Sequence, residues 1–152
     1  MNNFIFENAT KVYFGEGCVN EYLACLLKQY GDTVLLAYGG GSIKRNGIYD
    51  EVTTILEKAG KKLVEFSGIM ANPTYAKVQE GAQLAKENNV DIILAIGGGS
   101  VMDCCKAVSL ASRYEGDIWN DFWMHPGVIN FKPLPLGVIV TVADTGSECN
   151  GG

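Results

Sequence analysis

Two short runs could do chemistry here, and they share a form: Gly97-Gly98-Gly99-Ser100 and Gly39-Gly40-Gly41-Ser42. Each follows an apolar run, Ile92-Ile93-Leu94-Ala95-Ile96 in one case and Val34-Leu35-Leu36-Ala37-Tyr38 in the other. Glycines let a backbone approach a ligand closely and take up positive φ. The first N–H groups of a following helix have no intrahelical partner, and the helix dipole favours an anion beside them. The chemistry such loops support is the holding of a phosphate. The run 97–100 is neither G-x-G-x-x-G nor a P-loop, because Val101 and Met102 stand where a P-loop needs Lys and Ser or Thr.

A carboxylate follows this loop. Asp103 sits in Ser100-Val101-Met102-Asp103, an S-x-x-D spacing that reads as a variant capping box with Ser100 as N-cap. A carboxylate beside a phosphate would repel it unless screened, and Lys106 is placed three residues on to do so. Asp103 is therefore expected to support the loop and not to react. The run 39–42 is informative through what it lacks. A strand end that holds the ribose of NAD usually offers Asp or Glu to the 2′-hydroxyl. This one offers glycines and Ser42, with Lys44 and Arg45 close by, which favours NADP(H) and leaves NAD(H) possible.

Other reactive residues fit blander roles. His125, the one histidine, precedes Pro126 in a loop and has no companions for a metal site. Cys18, Cys25, Cys104, Cys105 and Cys149 form no C-x-x-C pair and read as small packing residues of a reducing, cytoplasmic setting. The aromatic stretch 119–131 reads as local core. Across its 152 residues the chain is 47% apolar with a net charge of −5. That composition suits a globular protein, argues against nucleic-acid binding, and leaves anion binding to local donors. Apolar runs stop short of a membrane span.

The elements that must position the loops alternate. Short strands are expected at 3–6 and 11–14, forming an amino-terminal hairpin. A helix follows over 18–30, a buried strand at 34–38, a basic bend at 43–47, and a helix over 49–59 ended by Gly60. A strand at 63–66 comes next. Thr74, after Asn72-Pro73, caps a helix over 75–88. The strand at 92–96, a helix over 101–112 and a last buried strand at 136–141 complete the order. This alternation predicts an α/β, Rossmann-like, mostly parallel sheet flanked by helices. The suspicious loops at 39–42, 72–74, 97–100 and 141–147 all fall at the carboxyl edge, where ligands bind in such sheets.

With these residues assembled, the chain resembles the iron-containing (group III) alcohol dehydrogenases, in look nearest to the NAD(P)H-dependent butanol dehydrogenases and aldehyde reductases. The motifs that carry the resemblance are Lys11-Val12-Tyr13-Phe14-Gly15, Tyr38-Gly39-Gly40-Gly41-Ser42-Ile43-Lys44-Arg45-Asn46-Gly47, Asn72-Pro73, Ala95-Ile96-Gly97-Gly98-Gly99-Ser100 with Asp103 and Lys106, and Thr145-Gly146-Ser147-Glu148. The resemblance implies that residues 1–152 are a dinucleotide-binding domain. It implies that Gly97, Gly98, Gly99 and Ser100 hold the pyrophosphate, with Asp103 behind them. Gly39, Gly40, Gly41 and Ser42 would face the adenosine ribose, while Asn72, Thr141, Thr145 and Ser147 line the rest of the path. It further implies homo-oligomers, dimers through the strand at 3–6, and an alcohol or aldehyde as substrate.

The departures are as informative. Members of the family are more than twice as long, and their helical carboxy-terminal half carries an Fe or Zn ion on one aspartate and three histidines. No such ligand set exists in this sequence, so the chain alone is expected to hold the cofactor and not to catalyse. Asp144 stands where relatives tend to have a small apolar residue. Two other readings stay open, a non-catalytic nucleotide-binding module and the related glycerol dehydrogenase and dehydroquinate synthase branch. Gly97 to Ser100 and the Tyr38-Gly39 loop argue against the second.

Overall fold

In the computed structural model, residues 8–125, 127–143 and 146–149 are described. Four strands, β1 (Thr33–Tyr38), β2 (Lys62–Phe66), β3 (Ile92–Gly97) and β4 (Leu136–Val140), form one sheet in the order β2-β1-β3-β4. Every pairing is parallel, with Leu35 opposite Val64 and Ile93, and Ala95 opposite Val138. The helices are α1 (Cys18–Leu27), α2 (Ser42–Arg45), α3 (Ile48–Lys58), α4 (Tyr75–Glu87) and α5 (Gly99–Ala111).

The two central strands are buried on both faces, which is why they read as continuous apolar runs. Their side chains alternate between two cores. Val34, Leu36, Tyr38, Ile92, Leu94 and Ile96 pack with Leu23 and Leu27 of α1, Ile43 of α2, and Val52 and Leu56 of α3. Leu35, Ala37, Ile93 and Ala95 pack with Val78, Ala82 and Ala85 of α4 and with Val101, Cys104, Cys105 and Val108 of α5. Each fully buried Leu or Ile contributes about 1.5–3 kcal/mol of transfer free energy. Register is therefore strongly specified, because a one-residue slip would exchange the two cores.

Local signals end the helices as expected. Gly60 takes φ 71° after α3, and Lys61 N–H donates to the Leu56 carbonyl. Thr74 Oγ1 accepts from the Lys77 N–H at 3.3 Å and opens α4. Asn72 sits at φ 52°, so Pro73 does keep it out of right-handed helical geometry, and its backbone is left-handed instead.

Several expectations need correction. Residues 11–14 form no strand: no neighbouring strand pairs with them among the described residues, and Phe14 is 99% exposed. The expected companion at 3–6 lies outside the described residues. Residues 43–47 are not simply a bend, since Ser42–Arg45 form one helical turn that buries Ile43 against β1 and α3. The last strand is half-buried, not buried, because it is the sheet edge and Val140 is 42% exposed. The aromatic stretch divides in two. Tyr114, Phe122 and Phe131 cluster, with the Tyr114 ring 5.0 Å and 5.5 Å from the other two. Trp119 and Trp123, on the π-helical turn Trp119–Met124, are about half exposed and stack on each other outside the core.

The cysteines divide cleanly. Cys104 and Cys105 are buried on α5, and burial pushes the Cys104 thiol up to about 11 and the Cys105 thiol higher still. Cys18 is half-buried, while Cys25 and Cys149 are exposed. An Ellman titration of the native chain is expected to label Cys18, Cys25 and Cys149 and to reach Cys104 and Cys105 only after unfolding. Rapid native labelling of Cys104 or Cys105 would contradict this packing of α5.

Candidate functional site

Strand order places the site. From β1 the chain moves outward to β2, and then back across to β3 on the other side of β1. The carboxyl ends of β1 and β3 thus flank a topological switch point, where open parallel sheets leave a crevice. Tyr38 pairs with Ile96, so Gly39 and Gly97 emerge side by side. Gly97 pairs with Val140, and the Thr141 N–H donates to the Gly97 carbonyl at 3.1 Å. A side chain at Gly98 would come within 3.8 Å of Val142 Cβ. Three of the expected loops therefore converge at one edge.

The loop after β3 is tighter than its sequence suggests. Gly97 is still strand, Gly98 is the N-cap, and α5 begins at Gly99. Val101 and Met102 N–H groups both donate to the Gly98 carbonyl. The N–H groups of Gly99 and Ser100 thus lie in the first turn of a 13-residue helix, without intrahelical partners and at its positive end. A methyl at Gly97 would lie 2.6 Å from Val101 Cγ2, so only glycine lets the helix start this close to the strand. This cradle suits a dinucleotide pyrophosphate.

One expectation at this loop is corrected. Ser100 is not the N-cap, and the Gly98 cap makes no side-chain hydrogen bond, so Asp103 does not close a capping box. Asp103 projects outward instead, 3.5 Å from Lys106 Nζ, which screens it in the i,i+3 geometry expected. It also lines a small open cavity of about 190 Å³ with Pro73, Tyr75, Trp119 and Trp123. Tyr75, Trp119 and Trp123 were not among the candidate residues. Tyr75 Oη donates to Asp117 Oδ1 at 2.6 Å, and Asp117 also accepts from the Trp119 N–H and Asn120 Nδ2. The Tyr75 hydrogen bond is the main reason that the Asp117 carboxyl is held below its ordinary range. The available signal was the spacing of Asp117 before Trp119 and Asn120, which suits a side chain bonding forward to the backbone of a turn.

The loop after β1 is held from above. The N–H groups of Gly68 and Ile69 donate to the carbonyls of Gly39 and Tyr38, so the segment leaving β2 crosses the end of β1. A methyl at Gly39 would sit 3.0 Å from the Ile69 carbonyl oxygen. The absence of a carboxylate at 39 thus has a packing reason besides any cofactor preference. Gly40 faces open space, and Arg45 Nη1 would be 3.2 Å from a methyl at Gly41. Ser42 is exposed at the start of α2.

The remaining candidates are more scattered. Asn72 is exposed on the segment between β2 and α4. Thr141 is half-buried beside Gly97, and Ser147 is buried in the turn after Gly146. Thr145 and Asp144 lie outside the described residues. A larger cavity of about 610 Å³ is lined by Lys28, Asp32, Lys58 and Lys61, at the opposite, amino edge of the sheet. Strand polarity, and not cavity size, therefore locates the candidate cofactor edge. Among the described residues no three His, Cys, Asp or Glu side chains come together to hold a metal ion, and no helix is long and apolar enough to cross a membrane.

Comparison with known proteins places this geometry. The family model for iron-containing alcohol dehydrogenase matches residues 9–152. The chain is 48% identical over 150 residues to the probable NADH-dependent butanol dehydrogenase 2 of Bacillus subtilis, covering 99% of this chain and 38% of that relative. It is 38% identical to the NADPH-dependent aldehyde reductase YqhD of Escherichia coli, again over 38% of the relative's length. The crystal structure of NADH-dependent butanol dehydrogenase A from Thermotoga maritima superposes with a TM-score of 0.90 at 43% identity, over 99% of this chain and 37% of that one. The chain spans well under half the length of these relatives. With its motifs, its parallel sheet and this match over nearly all of its residues, the chain belongs to the iron-containing alcohol dehydrogenase family.

Proposed function

We propose that residues 1–152 form the dinucleotide-binding domain of an oxidoreductase that moves a hydride between NAD(P)H and a primary alcohol–aldehyde pair such as butanol and butanal. The observation that carries the reading is the convergence of Gly39, Gly97 and Gly98 with the amino-terminal end of α5 at one switch point. The residues present fit a dinucleotide, because Gly97 brings α5 against the strand end and Gly40 leaves open space beside it.

When bound, the nicotinamide supplies the hydride. The work of the chain is positional. Amides at Gly98, Gly99 and Ser100 hold the pyrophosphate, Asp103 and Lys106 stay paired on the solvent side of α5, and Gly39 to Ser42 receive the adenosine ribose. Asn72, Thr141, Thr145 and Ser147 complete the path. The family is named for iron, but the described residues do not fit a metal, so no step is assigned to one. Exposed Val12, Phe14, Val128 and Ile129 support self-association of the chain.

The relatives include NADH-dependent and NADPH-dependent proteins. The lack of a carboxylate at 39–42 supports tighter binding of NADPH. In a fluorescence titration both reduced cofactors are expected to bind, NADPH with the lower Kd. Equal affinities would defeat the argument drawn from Gly39, and no binding of either would defeat the reading as a whole.

A further inference from the structure

The ribose end of the candidate site carries an arrangement that the loop motifs do not explain. Tyr38 ends β1 and is almost fully buried, and Glu65 lies beside it on β2. Tyr38 Oη donates to Glu65 Oε2 at 2.9 Å, and Tyr49 Oη donates to Glu65 Oε1. The two rings meet edge to face at 5.6 Å. Lys44, two residues beyond Ser42, lies over both rings, its Nζ 4.6 Å from the Tyr49 centroid and 5.5 Å from that of Tyr38. A cation beside the ribose loop thus rests on two phenols whose hydroxyls are tied to one carboxylate.

Each part has a physical consequence. An ammonium over aromatic faces is attracted by the ring quadrupoles. Donation from the Tyr49 hydroxyl holds the Glu65 carboxyl below its ordinary range, with Lys44 adding to the effect, so Glu65 is an anion at neutral pH. The same contact pushes the Tyr49 phenol up to about 12, so Tyr49 adds no charge. Each Glu65 oxygen accepts from one phenol, which turns the carboxylate toward Tyr38 and Tyr49. Its charge reaches the loop through space.

We propose that Glu65, held by Tyr38 and Tyr49, is a specificity-determining residue: it offsets the charge of Lys44 beside the Gly39–Ser42 loop and limits how strongly the site selects a dinucleotide bearing a 2′-phosphate. The proposal rests on the cofactor reading above and adds to it a positive pole, Lys44, and its counterweight. It also explains how a loop without its own carboxylate can remain open to NADH.

The test is the ratio of NADPH to NADH affinity, measured by fluorescence titration of the whole chain at low salt. Glu65→Gln keeps a polar group for the tyrosines but removes the charge. It is expected to raise the ratio roughly threefold to fivefold, as for an exposed charge pair, and the gain should fade at roughly 0.5 M salt. Lys44→Met is expected to lower the ratio by a similar factor, and Glu65→Gln should still raise it in that background, because each charge acts on the 2′-phosphate in its own right. An unchanged or lower ratio in Glu65→Gln overturns the proposal, as does a rise that persists undiminished at high salt. Should Glu65→Gln fail to fold, Lys44→Met, on an exposed turn, still decides, since an unchanged ratio there overturns it. Failure of the unaltered chain to bind either dinucleotide would remove the cofactor reading and the proposal with it, an outcome distinct from binding with an unmoved ratio.

Discussion

Gly97→Ala is expected to weaken binding of both NADH and NADPH roughly tenfold, because misplaced donor groups lose their ligand steeply with distance. It should also cost about 1–3 kcal/mol of stability through overpacking. The added methyl would lie 2.6 Å from Cγ2 and 2.8 Å from Cβ of Val101. Val101 is β-branched and 7% exposed, so it cannot rotate away cheaply. The strain is relieved by moving the start of α5 away from the end of β3. That movement displaces the Gly98, Gly99 and Ser100 amides relative to Gly39 across the crevice. Titration with each cofactor, set beside urea unfolding, separates the two effects. A variant that loses stability but binds both cofactors as before would show that the amino-terminal end of α5 does not hold the pyrophosphate.

Phe66→Ala is expected to destabilise the chain by about 3–5 kcal/mol, a large share of the roughly 5–15 kcal/mol by which a domain is stable. Phe66 ends β2, is 1% exposed, and sits where β2, α4 and α5 meet. Lys77 Nζ lies 4.8 Å from its ring centroid. Gly81 of α4 approaches so closely that a methyl there would be 2.7 Å from the Phe66 ring and 2.8 Å from Val108 of α5. The close approach of α4 leaves little slack for collapse, so the deletion leaves a cavity and the upper part of the range applies. An unfolding free energy from urea titration within about 1 kcal/mol of that of the unaltered chain would mean that α4 does not pack on the sheet as described.

Much of this was legible from the chain. The apolar runs at 34–38 and 92–96 read as buried strands because parallel strands between two helical layers lose the polar–apolar alternation. Thr74 and Gly60 marked helix ends because capping is a local interaction, decided by residues within one turn. The glycine loops declared themselves because few residue types tolerate close backbone approach. Expectations failed where distant residues decide. The first turn of α5 begins at Gly99, ahead of the expected start, because Val101 must close on Gly97, and that shift cancels the capping box read for Asp103. Residues 11–14 have strand-like composition, but a strand exists only with a neighbour to bond.

By itself, the sequence determined the class of fold, which rests on composition and period, and it pointed to the family through the resemblance of its motifs to those of known members. Tertiary structure alone decided which strands are neighbours, and so which loops meet. It put Gly39 beside Gly97, laid Ile69 over Gly39, left Trp119 and Trp123 half exposed, and set Glu65 against two tyrosines and a lysine. The physical reason is the same in each case. Residues far apart in the chain acquire an interaction only when the sheet order β2-β1-β3-β4 brings their strand ends to one edge.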